Sequence, residues 1–325
     1  MSRTTELFSE AFTIPAATAG IELNLRHRRP QGQTRFDASR TIMMMHGATY
    51  SSGSLFDTPL EGASFIDWLA AAGFDVWALD VRGYGASTRP AAMLAPAADN
   101  APAVGTEIAV SDLSCAIEYV LQRQGLTQLN IIGMSWGGSV TGSYTSRHPD
   151  KVRRLGLIAP QWLTSGRAPL DPGGELGAWR IIEVNAMEKR WLSGAPQHKR
   201  ATLIPPGGFA AWKAQTLSEE PDEALRRQDM MRASNGPVQD TRDYWTVDRP
   251  FYDPAAITVP LLLLHGEWDV DVPVSLAQAW FLRATGAPWK RWIEIGEATH
   301  MMVLEKNRVQ VYQALSDFFL SDLSH

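Results

Sequence analysis

Residues 9–15 and 21–28 alternate apolar and polar side chains on either side of Ala19-Gly20. This period-two pattern predicts an antiparallel hairpin with one covered face. The pattern then changes. Thr41-Ile42-Met43-Met44-Met45 is apolar almost without a break, and such a run predicts a strand buried on both faces, as in a parallel sheet. Similar runs recur at 74–80, 129–133, 152–159 and 259–264, with a further strand at 291–295. Helical periodicity fills the intervals at 60–72, 107–124, 136–148, 274–285 and 307–320. Gly125 and Pro149 stand where two of these helices must stop. Residues 91–105, rich in Ala and Pro, read as an excursion loop.

Alternating strands and helices predict an α/β fold, with a mostly parallel central sheet of about eight strands flanked by helices. The regularity fails between residues 161 and 250. That stretch carries Trp162, Trp179, Trp191, Trp212 and Trp245, with helical pieces expected at 179–191 and 222–233. It reads as a helical cap (161–250) inserted into a core built from 1–160 and 251–325. There is no internal repeat.

Composition narrows the function classes. The chain has 325 residues, 45% hydrophobic and 20% charged, enough for a sizeable core. Its net charge of -5 argues against a nucleic-acid partner, which needs a basic face. The one basic cluster, Arg26-His27-Arg28-Arg29, reads as a solvated strand end. A single cysteine, Cys115, excludes an internal disulfide and reads as a structural thiol. No apolar run reaches the roughly 18 residues of a membrane span. The first ten residues show no apolar signal core, so the expected location is cytoplasmic. The seven histidines are scattered without metal-ligand spacing, and neither metal nor cofactor is expected. A homo-oligomer is compatible with the sequence.

The chemistry concentrates at strand ends. Gly133-Met134-Ser135-Trp136-Gly137 joins a buried strand to a helix, the setting in which a serine flanked by glycines stands on a sharp turn as a nucleophile. A hydroxyl needs a base at neutral pH. His300 follows the last strand, in Gly296-Glu297-Ala298-Thr299-His300. The orienting acid is expected to be Asp269, in Gly266-Glu267-Trp268-Asp269-Val270-Asp271, with Glu267 and Asp271 as its rivals. His148, His198 and His265 have bland readings as helix end, solvated residue and turn material.

With these residues in order, the chain resembles the α/β-hydrolase superfamily over nearly its whole length. The matching stretches are His46-Gly47, Asp80-Val81-Arg82-Gly83-Tyr84-Gly85-Ala86-Ser87, the Ser135 pentapeptide with Gly138, Gly266-Glu267-Trp268-Asp269 and Thr299-His300. The resemblance implies catalytic Ser135, Asp269 and His300, and an oxyanion hole from the N–H groups of Trp136 and Ala48, with Thr49 as the alternative second donor. His46 is expected to shape the loop that delivers the second of these N–H groups, and substrate contacts are expected at His46, Gly47, Thr49 and Trp162. The loop after Gly47 lacks the Gly-Gly of hormone-sensitive-lipase-like esterases, and Ser135 replaces the Asp nucleophile of dehalogenases and epoxide hydrolases. The chain more closely resembles the capped branch that holds meta-cleavage hydrolases and small serine esterases, which implies a small-molecule ester as substrate.

Acyl transfer to water is the expected reaction, with transfer to another acceptor, C–C bond hydrolysis and a catalytically silent receptor as alternatives. The cap tryptophans suit an aromatic or alkyl group. The spacing of Ser135, Asp269 and His300 is similar to that of monoalkyl phthalate hydrolases. Such a half-ester would call for an arginine, and Arg82, Arg180 and Arg190 are equal candidates.

Overall fold

The computed structural model describes residues 6–323. Residues 1–5 and 324–325, which belong to the predicted core and to the stretch read for a signal, lie outside the described residues. The strands run in chain order as β1 (Leu7–Pro15), β2 (Glu22–Pro30), β3 (Thr41–Met45), β4 (Asp75–Asp80), β5 (Leu129–Met134), β6 (Val152–Ile158), β7 (Trp179–Glu183), β8 (Met230–Ser234), β9 (Leu261–Gly266) and β10 (Lys290–Ile295). Among the described residues, eight of them form one sheet in the order β1-β2-β4-β3-β5-β6-β9-β10. β1 and β2 are the predicted hairpin, and β2 joins β4 antiparallel. Every pairing from β4 to β10 is parallel.

The continuous apolar runs are explained by burial on both faces. Met43, Met45, Trp77, Leu79 and Ile131 pack into one layer, while Ile42, Met44, Val76, Ala78 and Ile132 pack into the other. Each such Ile, Leu, Val or Met side chain contributes about 1.5–3 kcal/mol by leaving water. Helix Thr106–Gln124 ends on Gly125 in the left-handed region at φ 67°, as its position required. Helix Trp136–Arg147 starts directly after Ser135. Because the strands from β3 to β10 are parallel, the loops after β3, β5, β9 and β10 share one edge of the sheet.

Two expectations need correction. The segment between β6 and β9 is not helical throughout: β7 and β8 pair antiparallel as a separate sheet, overlapping the start of one expected helical piece and the end of the other. The adjacent Ile181 and Ile182 favour a strand, and only Met187–Trp191 of the first piece is an α-helix. In the second piece the helix is confined to Glu223–Arg226, and Asp229 at φ 57° turns the chain into β8. The basic cluster is not a solvated strand end either. His27 is buried, its Nε2 lies 2.6 Å from Asp75 Oδ1, and its ring stacks on Trp77. Arg26 pairs with Glu219, and Arg28 pairs with Asp57 and Asp67. No helix among the described residues is long and apolar enough to cross a membrane.

Candidate active site

Ser135 sits between β5 and its helix with φ 57° and ψ -120°, a backbone region that L-residues occupy only under constraint. Three backbone bonds hold it there. Its N–H donates to Ile158 O on β6 at 2.9 Å, and its carbonyl accepts from Gly138 N at 2.8 Å and Gln161 N at 3.2 Å. The flanking glycines are a matter of space. A Cβ on Gly133 would stand 2.5 Å from Gly137 O, and one on Gly137 would stand 2.5 Å from Met45 O. Trp136 is the first residue of the helix, so its N–H has no acceptor within the helix and points to the positive end of the dipole.

Asp269 and His300 come from the loops after β9 and β10, and the structure brings them together. His300 Nδ1 lies 2.8 Å from Asp269 Oδ2. The second carboxylate oxygen accepts the N–H groups of Asp271 at 2.9 Å and Val272 at 2.8 Å. His265 Nε2–H donates to Val272 O at 2.8 Å, which ties the same loop back to β9. Burial pulls the His300 pKa down, but the charge of Asp269 and its hydrogen bond outweigh this and raise it to about 9. Of the rival acids, Asp271 pairs with Arg190, and Glu267 accepts the Glu297 N–H at 2.7 Å.

One residue that sequence reasoning missed supports the histidine loop. Glu305 is fully buried and accepts from Thr299 N at 2.8 Å, from the Thr299 hydroxyl, and from Trp191 Nε1 at 2.7 Å. Burial raises its pKa to about 7 despite these bonds. Its signal was available: a lone acid directly after Met301-Met302-Val303-Leu304.

A cavity of about 410 Å³ opens at this edge of the sheet, lined by Ser135, His300, Trp136, Gly47, Ala48 and Thr49. Its other walls include Tyr50, Met134, Ile181, Ile182, Met187, Trp191 and Trp212. Two proposed contacts are absent from the lining. His46 is wholly buried, with Nε2 accepting the Val81 N–H at 3.2 Å and Nδ1–H donating to Gly47 O at 2.8 Å. Burial lowers its pKa against the pull of Asp80, so the ring is a neutral brace for the Gly47–Ala48 loop. The Tyr84 hydroxyl braces the same loop by donating to Ala48 O at 2.9 Å. Trp162 is likewise removed from the cavity, packed against Trp245 and Tyr252 because its large apolar surface closes the core there.

The three candidate arginines separate. Arg82 is locked on Asp112 through Nε at 2.9 Å and also reaches Thr18, so it does not line the cavity. Arg180 and Arg190 do. Among the described residues no three His, Cys, Asp or Glu side chains converge as metal ligands would.

A family model described as alpha/beta hydrolase fold matches residues 40–307. Among curated proteins, a probable 1-acylglycerol-3-phosphate O-acyltransferase of Oryza sativa subsp. japonica is 29% identical over 139 residues, 39% of this chain and 30% of that protein. The chain therefore spans under a third of that relative's length. Among solved structures, a serine hydrolase from the polyaromatic hydrocarbon-degrading bacterium Cycloclasticus zankles superposes with a TM-score of 0.64 at 17% identity, covering 98% of this chain and 100% of that one. The 2-hydroxy-6-oxo-6-phenylhexa-2,4-dienoate hydrolase of Rhodococcus sp. strain RHA1 gives 0.61 at 16% identity, with the same coverage. At these identities the structural likeness establishes the fold.

Proposed function

Because the chain belongs to the alpha/beta hydrolase fold family, we propose that it hydrolyses carboxylic esters with Ser135 as nucleophile, His300 as base and Asp269 as the orienting acid. The observation that carries this reading is the 2.8 Å contact of His300 Nδ1 with Asp269 Oδ2, at a cavity that Ser135 also lines. Asp269 holds the proton on Nδ1, which leaves Nε2 as the acceptor. Nε2 takes the hydroxyl proton as Ser135 Oγ attacks the acyl carbon. The negative charge that develops on the carbonyl oxygen is received by the N–H groups of Trp136 and Ala48. Such a donor contributes about 3–4 kcal/mol in a serine protease. The imidazolium then protonates the departing alcohol. Water, deprotonated by the same ring, releases the acid from Ser135.

Residues 161–250 serve as a cap over the core of 1–160 and 251–325. Ile181, Ile182, Met187, Trp191 and Trp212 give it an apolar cavity wall suited to an aromatic or alkyl group. Ser135, His300 and Asp269 would equally serve to pass the acyl group to an acceptor other than water, or to act on a C–C bond. The rice relative is a probable O-acyltransferase. Turnover that requires an added alcohol or thiol acceptor would establish that second reading.

The test is labelling with a fluorophosphonate, followed by peptide mass spectrometry, together with turnover of p-nitrophenyl acetate. A phosphonylated Ser135 and activity absent from Ser135→Ala are expected. An unmodified Ser135 in a folded protein would end the proposal.

A further inference from the structure

We infer that the substrate carries a carboxylate and that Arg180 is the residue that recognises it. This deepens the ester-hydrolase reading and rests on it for the identity of the cavity. The argument is a matching of charges. Two carboxylates line the cavity, Asp171 and Asp271. Each already has an arginine: Arg242 holds Asp171, and Arg190 holds Asp271. Arg180 lines the same cavity and makes no ion pair among the described residues. Its acceptors are all neutral: Ser234 O, Asn235 Oδ1 at 3.3 Å and Thr49 Oγ1 at 3.0 Å.

A half-buried guanidinium without a countercharge is costly, and burial accordingly holds its pKa below the ordinary value. The three neutral acceptors fix the plane of the group without neutralising it. They pin Nη1 to the end of β8 and one Nη2 hydrogen to the loop beside Ala48. Of the five N–H donors of an arginine, two remain without a partner among the described residues. An oriented planar cation with free donors matches the geometry of a carboxylate. The bond to Thr49 also places the charge one residue from the Ala48 N–H, so an anchored carboxylate would lie near the reacting carbonyl. The cavity's apolar walls then accept the remainder of the molecule. The class that satisfies all of this is an ester with a free carboxylate elsewhere in its structure, such as a half-ester of a dicarboxylic acid.

The test compares isosteres on the intact protein. Calorimetry should show benzoate binding at least about ten-fold more tightly than benzamide, since a hydrogen-bonded charge pair is worth about 1.5–3 kcal/mol. Arg180→Gln should erase that preference, and Arg180→Lys should retain part of it. Arg190→Gln should keep it, because Asp271 already matches that charge. In turnover, the kcat/KM ratio of monoethyl over diethyl adipate should fall by the same factor in Arg180→Gln. The wild-type comparison needs no variant: benzoate bound no better than benzamide, or not bound at all, overturns the inference. A preference lost in Arg190→Gln but kept in Arg180→Gln overturns it equally. Absence of ester turnover beside an intact benzoate preference would remove the hydrolase reading and leave the anion site standing.

Discussion

Replacing Asp269 by asparagine separates orientation from mere presence of an oxygen. The wild-type carboxylate uses Oδ1 for two backbone N–H groups, at 2.9 and 2.8 Å, and Oδ2 for His300. An asparagine has one oxygen to place. Two N–H···O bonds at about 1 kcal/mol each outweigh one, so the oxygen stays on the Asp271 and Val272 amides. The NH₂ group then faces His300 Nδ1 and forces that nitrogen to accept. The ring proton moves to Nε2, the tautomer that cannot take a proton from Ser135. By analogy with a serine protease, kcat should fall about 10⁴-fold, or about 5 kcal/mol of barrier. Asp271→Asn breaks only the half-exposed pair with Arg190, worth about 0–1 kcal/mol, and should cost less than about five-fold. The assay is kcat/KM for a p-nitrophenyl ester across the pH range. The base works when neutral, so activity is lost as pH falls through the His300 pKa, raised to about 9. In Asp269→Asn the burial effect acts without the countercharge, and the residual activity should show its acid limb below 6.5. An Asp269→Asn enzyme with more than a tenth of wild-type kcat/KM, or an Asp271→Asn enzyme impaired as severely, would refute this reasoning.

Three further outcomes are expected. Ser135→Gly should abolish labelling yet raise Tm, because it relieves a backbone conformation costing about 1–3 kcal/mol against a glycine entropy cost of about 0.5–1 kcal/mol; a lower Tm would contradict the strain at φ 57°. Gly137→Ala drives a Cβ against Met45 O and His46 O, backbone atoms of a central strand and its following loop. Denaturant titration should show a loss of at least about 1–3 kcal/mol, and wild-type stability would mean the elbow can relax. Glu305→Gln leaves a buried donor at Thr299 facing an NH₂, at about 1–3 kcal/mol, and should lower kcat about ten-fold with KM little changed. Since the folded protein binds the Glu305 proton more tightly than the unfolded chain, wild-type stability should fall as pH rises from 4.5 through about 7. That slope should flatten in the glutamine variant, and an unaltered slope and kcat would exclude the positioning role.

The core was legible because its strands are buried on both faces. β3, β4, β5 and β9 are buried at every position, and an unbroken apolar run of that length has few other uses. Ser135, Asp269 and His300 were legible for a related reason. Ser135 and Asp269 stand close after such strands and His300 after the more exposed β10, with Gly133 and Gly137, Gly266 or Gly296 marking the turn. Helix Ser52–Phe56 escaped notice because its five residues carry no periodicity; Ser51 caps it and its burial holds it. Glu305 was marked only as a lone acid after an apolar run, and its contact with Trp191, 114 residues away, was not legible.

The segment between β6 and β9 and the choice among three arginines failed to read for a deeper reason. Pattern reports which side chains want burial, but says nothing of which distant group will meet them. Trp191 and Trp212 line the cavity while Trp162 and Trp245 close a core, and nothing local distinguishes the pairs. Arg82, Arg180 and Arg190 are equivalent until their partners are known. Asp112 removes Arg82 and Asp271 removes Arg190, from 30 and 81 residues away. The arginine left over is defined by what it lacks, and a lack of partner is a property of the assembled surface alone. On the proposed reading, substrate preference follows from long-range pairing, whereas the reaction type follows from short motifs at strand ends. If that division holds, exchanging Arg180 should change which ester is taken without moving the pH limb set by His300 and Asp269. A shift of that limb in Arg180→Gln would show that recognition and chemistry share one electrostatic unit.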